Sequence, residues 1–352
     1  MSLSVVHFGT GNTGRHGLSQ IISDPALELV GVGVTSPEKV GADAGALSGL
    51  ASTGILATDD LESLLALDAD CLAYFGEGIA RPVEAVADMA RFLARGTNVV
   101  TTSLNQLVYP PTAAPELRDP LRKASEEGSA SFFNNGADPG FGSDLIPVTL
   151  LSLMGRTDSV RIQEIINYAY YDQQDVMRHV FGFGQALDYD APLFHGGALT
   201  AYWGGVVTQI ARILGAEVDE IREAHEVRSL DRDVEIAVGT IEAGTVAAIR
   251  FEVQAIVRGE PAVVVEHVTR IDDQAAPDWP VCRDRRDCYQ IHIAGWPNID
   301  CEVKLTDEDG NDGGLIATAT RVVNAIPTVC AAEPGLLSFL DIPPVVGRVI
   351  GF

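Results

Sequence analysis

Apolar runs alternate with amphipathic stretches from residue 3 to about residue 133. Residues 5–8, 27–34, 70–75, 98–102 and 130–133 read as strands, and residues 82–95 and 113–127 as helices. Near-continuous apolar strands separated by helices predict a parallel sheet covered on both faces. Ligands of such a sheet bind at the carboxyl ends of its strands. Those ends present residues 9–14, 35–39, 74–77, 101–106 and 134–140, which form one candidate rim.

After about residue 156 the pattern changes to long segments with a period of two: 160–171, 220–235, 246–257, 262–271 and 289–304. They predict an antiparallel or mixed sheet, with turns at 242–244 and 258–261 joining hairpin neighbours. A helix over 198–214 would cover one face by its apolar stripe. The open face of such a sheet is a natural subunit interface, so a homodimer is expected. By the same period, Tyr168 and Tyr170 share one face of a strand and Tyr171 lies on the other. A turn at 307–314 closes this region, and 315–330 reads as a helix returning to the first domain.

The first apolar run leads into Gly9-Thr10-Gly11-Asn12-Thr13-Gly14, a G-x-G-x-x-G opening an amphipathic helix. Gly9 permits the tight turn, Gly11 lets backbone approach a pyrophosphate, and Gly14 lets helix and sheet pack closely. The alternative is a glycine-rich turn with no ligand. The expected fold is therefore α/β, an N-terminal Rossmann-type parallel sheet with a second mixed α+β sheet domain and a C-terminal helix packed on the first. Its boundaries are expected at 1–140 for dinucleotide binding, 141–314 for substrate and dimerisation, and 315–352 for the returning segment. The acidic residue that would hold the ribose of NAD after the second strand is missing. Thr35-Ser36-Pro37-Glu38-Lys39 stands there instead, which favours NADP, with NAD as the alternative. Ser36 and Lys39 are the candidates for the 2′-phosphate, although Lys39, one of three lysines, also suits a solvated surface.

At 352 residues and 46% hydrophobic content the chain is long enough for two cored domains. Its formal charge of −25 argues against nucleic acid or an anionic membrane as partner. An anionic cofactor must then be held locally, by the helix dipole, backbone amides, Arg15 and Lys39. The N-terminus shows no secretory pattern and no apolar stretch is of membrane-spanning length, so a cytoplasmic protein is expected. The five cysteines are odd in number and scattered, as in a reducing compartment. Cys282, Cys288, His292 and Cys301 cluster, but their spacing fits no standard zinc site. They read as strand and loop residues with no metal and no disulfide.

The loop over residues 134–142 carries three glycines and a proline between a strand and a helix. Its amides, Gly136 among them, could face a nicotinamide or a substrate oxygen; an interdomain hinge is the other reading. Four segments make a resemblance specific: the glycine loop, residues 36–45 (Ser-Pro-Glu-Lys-Val-Gly-Ala-Asp-Ala-Gly), residues 136–141 (Gly-Ala-Asp-Pro-Gly-Phe) and residues 321–327 (Arg-Val-Val-Asn-Ala-Ile-Pro). The chain resembles the 2,4-diaminopentanoate dehydrogenases and native amine dehydrogenases, which share the dihydrodipicolinate reductase architecture. That resemblance implies a Rossmann domain, a dimerising mixed sheet, and a C-terminal helix near the cofactor. Thr102 and Asn324 join Gly136 as cofactor-side candidates. Dihydrodipicolinate reductases themselves are disfavoured, because their His-His segment and the lysine-bearing motif after it are missing.

One departure bears on chemistry. The similar amine dehydrogenases carry a glutamate in the loop before Tyr109-Pro110, where this chain has Asn105 and Gln106. Amides can hydrogen-bond a substrate but cannot act as a general base near neutral pH. Proton-donor candidates are Tyr109, Tyr168, Tyr170, Tyr171, His179 and His195; the resemblance places tyrosines of the 160–171 segment in the substrate pocket. The expected function is an NAD(P)H-dependent oxidoreductase reducing a C=O or C=N bond of a small, mostly apolar substrate. Reductive amination with ammonia is the alternative, and a cofactor-binding regulator without turnover a further one.

Overall fold

The computed structural model describes residues 2–284, 287–307 and 312–349. Strands β1 (Leu3–Phe8) and β2 (Leu27–Gly33) flank helix α1 (Asn12–Ser23), followed by α2 (Ala44–Ser48), β3 (Ala57–Thr58), α3 (Leu61–Leu65) and β4 (Cys71–Tyr74). Next come α4 (Pro82–Leu93), β5 (Asn98–Thr101), α5 (Pro115–Gly128), β6 (Ser131–Asn134) and α6 (Leu145–Leu151). Then β7 (Arg156–Asn167), α7 (Ala198–Ile213), β8 (Glu220–Ser229), β9 (Val234–Ile236), β10 (Gly239–Ile241), β11 (Val246–Val257) and β12 (Glu260–Arg270) follow. The last elements are β13 (Cys288–Trp296), β14 (Ile299–Val303), α8 (Gly313–Cys330) and β15 (Gly335–Leu337).

The chain divides into two compact units, residues 1–141 with 312–352, and residues 142–311. In the first, the described strands form one sheet in the order β15-β6-β5-β4-β1-β2-β3, all pairs parallel. Successive residues supply opposite faces. Val6, Leu72 and Phe132 pack with Met89 and Phe92 of α4 and Leu121 of α5. Val5, Ala73 and Phe133 pack with Ile21 of α1 and Val322, Val323, Ile326 and Val329 of α8. The three- and four-residue spacing of those α8 positions is why this helix returns to the sheet. The short edge strand β15 was not foreseen, since Gly335–Leu337 is too brief to show a period.

The second unit is a mixed six-stranded sheet, order β14-β13-β7-β12-β11-β8, with β7 and β12 parallel and the other pairs antiparallel. Helix α7 packs on β8, β11 and β12. Three expected segments change shape. Residues 220–235 split into β8 and the β9–β10 hairpin. Residues 289–304 fold into the β13–β14 hairpin around Pro297. The strand expected over 160–171 ends at Asn167, whose side-chain Oδ1 accepts the Ala169 N–H at 2.8 Å and caps a 3-10 turn over Tyr168–Tyr170. The tyrosines therefore do not alternate across a sheet: Tyr168 and Tyr171 stack on each other with ring centroids 5.1 Å apart.

Cys282 and Cys288 form a disulfide, against the expectation of free thiols, with Cα atoms 6.0 Å apart. A six-residue separation folded back against the start of β13 brings them together. Cys71, Cys301 and Cys330 are free. Among the described residues no helix is long and apolar enough to cross a membrane.

Candidate active site

In the first sheet β1 lies beside β4, and the strand order reverses between them, which opens a crevice at their carboxyl ends. The glycine loop sits there under tight constraint. Gly9 has φ +94°, and a Cβ on it would lie 2.5 Å from the Phe75 carbonyl carbon and oxygen. A Cβ on Gly14 would lie 2.0 Å from the Gly9 oxygen. Gly11 differs from both: among the described residues nothing lies within 4 Å of its would-be Cβ. Two glycines are thus demanded by the protein's packing on itself, while the third leaves open space in front of α1.

That space suits a pyrophosphate. Helix α1 starts without a side-chain cap and with no acidic residue in its first turn, so its amides and dipole favour an anion. Lys39 ends the 3-10 turn Pro37–Lys39, and its Nζ bonds the Thr10 carbonyl at 3.0 Å and Thr10 Oγ1 at 3.3 Å. The cation expected near the 2′-phosphate is therefore fastened to the glycine loop. Ser36 precedes that turn and makes no capping bond with its side chain. Arg15 does not act as a spare cation, because it pairs with Asp312 at the start of α8, which His16 also approaches at 3.3 Å.

Beyond Lys39, Asp43 organises the following loop. It accepts the Gly45 N–H at 2.8 Å, Thr53 N–H at 3.0 Å, Gly54 N–H at 2.8 Å and Ser52 hydroxyl at 2.9 Å. These donors, the Thr53 amide foremost, hold its carboxyl down at about 2. Below the glycine loop lies His7, fully buried on β1, its Nε2 2.7 Å from the Gly9 oxygen and its ring stacked on Phe75 at 5.2 Å. Burial pushes its pKa down to about 4, partly opposed by the bond to Gly9, so the imidazole is neutral. Nothing in composition or spacing marked His7, which reads as one more residue of an apolar strand.

The ends of β5 and β6 position the rest of the rim. Buried Asn134 accepts the Leu104 N–H on Oδ1 at 3.1 Å, and the Ser103 hydroxyl donates to the Gly76 carbonyl at 2.7 Å. These bonds hold Thr102, Asn105 and Gln106, all half-buried, in the segment that starts the 3-10 turn Asn105–Leu107. The Asn135 amide donates to the Thr101 carbonyl at 3.1 Å, and Arg321 of α8 donates to Asn135 Oδ1 at 2.9 Å. Gly136 accepts the Phe141 N–H at 2.8 Å, and Thr318 of α8 accepts the Ala137 N–H at 3.3 Å. Helix α8 thus supports the rim through Thr318 and Arg321. Asn324 is not brought to it: its carbonyl takes Arg348, whose other nitrogen pairs with Asp24, past the far end of α1 from the glycine loop.

The second unit holds the remaining candidates. Tyr170, exposed, lines a cleft of about 640 Å³ with Asn167, Glu235 and Asp272. Tyr168 leans on Phe181 at 5.7 Å. His195 is exposed, 3.4 Å from Asp190, and His179 is also exposed. Beneath α7 the buried Glu164 takes His267 Nδ1 at 2.9 Å and the Tyr289 hydroxyl at 3.0 Å. The opposite face is polar: Glu266, fully buried, accepts Arg250 at 2.6 Å, Gln163 at 2.9 Å and Arg161.

A Rossmann-type sheet with an open pyrophosphate cradle and a separate mixed-sheet unit defines an NAD(P)-dependent oxidoreductase. Residues 144–350 match the 2,4-diaminopentanoate dehydrogenase C-terminal domain. The chain is 44% identical to the amine dehydrogenase of Streptomyces virginiae over 99% of its length and 98% of that protein's. It is 24% identical to the 2,4-diaminopentanoate dehydrogenase of Acetoanaerobium sticklandii, over 73% of the chain and 69% of that protein. The solved amine dehydrogenase of Mycobacterium smegmatis shares the fold, with a TM-score of 0.80 at 22% identity, over 99% of this chain and 98% of that one. The chain belongs to the family of amine and 2,4-diaminopentanoate dehydrogenases.

Proposed function

We propose that this enzyme transfers hydride between NADP(H) and the C–N bond of a small, mostly apolar amine, interconverting amine and imine. The observation that carries the nitrogen chemistry is full-length likeness, at 44% identity, to a protein named amine dehydrogenase. Thr35, Ser36 and Lys39 in place of an acidic residue after β2 support NADP over NAD. The cofactor supplies the hydride; Gly9 to Gly14, Ser36, Lys39, Thr102 and Gly136 are the residues proposed to hold and orient it.

Asn105 and Gln106 are proposed to orient the substrate nitrogen by hydrogen bonds, with Tyr168, Tyr170 or His195 as proton donor. Having no charge, the two amides cannot take a proton from an ammonium group. The amine must therefore arrive unprotonated, and its oxidation should quicken with pH toward its own pKa, near that of a lysine at about 10. Reduction of a C=O bond without nitrogen is the second reading, favoured by the same lack of a base. Steady-state NADPH consumption with preformed imines, with ketones alone and with ketones plus ammonium separates them. Ketone reduction indifferent to nitrogen would refute the first reading, and cofactor binding with no turnover on any arm would refute both.

Arg161, Arg250 and Glu252 remain partly exposed around buried Glu266 on the polar sheet face, and this charge-balanced surface is where the proposal seats a second copy. A homodimer working in the cytoplasm, where reduced nicotinamide is supplied, completes the proposal, with light scattering as its test. Residues 1–140 and 315–352 would then serve the cofactor, and 141–314 the substrate and the dimer.

A further inference from the structure

We propose that His7 aims the Thr10 amide at the pyrophosphate of the cofactor and is a positioning residue for dinucleotide binding. A carbonyl oxygen only accepts, so the proton of the neutral imidazole is on Nε2, 2.7 Å from the Gly9 oxygen. Nδ1 is then a buried lone pair that no described residue's donor reaches.

The bond has a geometric consequence. Cis peptides occur at Asp138-Pro139 and Trp296-Pro297, so the Gly9–Thr10 peptide is trans. In a trans peptide the C=O and the following N–H point to opposite sides of one plane. With the Gly9 oxygen drawn inward onto His7, the Thr10 N–H must point outward. Among the described residues no acceptor takes that N–H. Gly11, the next residue, has open space at its would-be Cβ among the described residues.

Three contacts lock the arrangement. The His7 ring stacks on Phe75, whose backbone lies against Gly9 and whose ring fills the place of a side chain on Gly17. Any side chain on Gly14 would strike the same Gly9 oxygen. Lys39, bound to the Thr10 carbonyl, steadies the next peptide. The loop's first amide is thus oriented from beneath by an imidazole.

The inference rests on the dinucleotide reading, and the test separates the two. His7→Phe keeps an aromatic ring against Phe75 and loses the donor; His7→Gln keeps a donor. In the full-length protein, calorimetric titration with NADPH and NADH should show His7→Phe binding both about five- to tenfold more weakly, the scale of one neutral hydrogen bond. His7→Gln should bind within about threefold of wild type. Adenosine 2′-phosphate, which lacks the pyrophosphate, should bind both variants as it binds wild type; a general loosening of the domain would weaken it too. A His7→Phe protein that binds both dinucleotides normally overturns the inference, as does one that fails to fold, or a folded His7→Gln protein that recovers nothing. Wild type that binds neither dinucleotide would instead overturn the reading beneath it.

Discussion

The burial of His7 makes a thermodynamic prediction that is independent of any ligand. In the native state its pKa is about 4, and the ordinary value is 6.5. Between these limits the unfolded chain carries a proton on this side chain that the folded chain does not. Stability must therefore rise with pH across that window and fall as pH drops from 6.5 toward 4. At about 1.4 kcal/mol per pH unit, a window of roughly two and a half units corresponds to about 3 kcal/mol from one imidazole. That is a sizeable share of the roughly 5–15 kcal/mol by which a domain is stable. The assay is chemical unfolding of wild type and His7→Phe at several pH values, followed through the transition of the first unit. Other groups titrate alike in both proteins, so the stability difference isolates His7. It should shift by about 3 kcal/mol between pH 7 and pH 4, in the direction that favours His7→Phe in acid. A difference constant with pH would refute the reasoning, as would an imidazole resonance of His7 that titrates near 6.5 in the folded protein.

Lys39→Ala should weaken NADPH by about ten- to a hundredfold, the range of a charge-assisted hydrogen bond, and NADH by much less, only what its bond to Thr10 lends the loop; equal losses for both would remove the 2′-phosphate assignment. Gly11→Val should abolish dinucleotide binding in a folded protein, since its side chain occupies space the protein itself leaves open, whereas Gly14→Ala should unsettle the fold by striking the Gly9 carbonyl. Normal calorimetric binding by Gly11→Val would make that glycine structural only. Asn105→Glu or Gln106→Glu should raise ammonium-dependent turnover relative to reduction of preformed imines, on the order of a hundredfold when the carboxylate is well placed. Efficient amination by wild type would show that the base lies elsewhere.

Local chemistry accounts for what could be read from the chain alone. The parallel sheet, its helices and the glycine loop were legible because buried strands, amphipathic helices and a G-x-G-x-x-G each leave a pattern within a few residues. The mixed second sheet was legible through the alternation within Val246–Val257, although Glu260–Arg270 is buried along both faces from residue 263 on. Periodicity failed where a side chain ends an element early. Asn167 caps a turn that carries Tyr168 and Tyr170 off the strand, and an apolar-polar pattern cannot report a cap that competes with strand pairing.

The sequence by itself determined the class of fold, the place of the cofactor loop and the lack of a carboxylate beside Tyr109, because these depend on residue type and short spacing. Position in the motif already set Gly11 apart from Gly9 and Gly14; only the tertiary structure supplied the atoms behind that difference, Phe75 against Gly9 and the Gly9 carbonyl against Gly14. It alone paired Arg15 with Asp312, fastened Lys39 to Thr10, and joined Cys282 to Cys288. It alone turned His7 from one residue of an apolar strand into the donor beneath the loop. Charges, thiols and lone pairs act over a few ångströms, and the chain's fold sets which of them come that close.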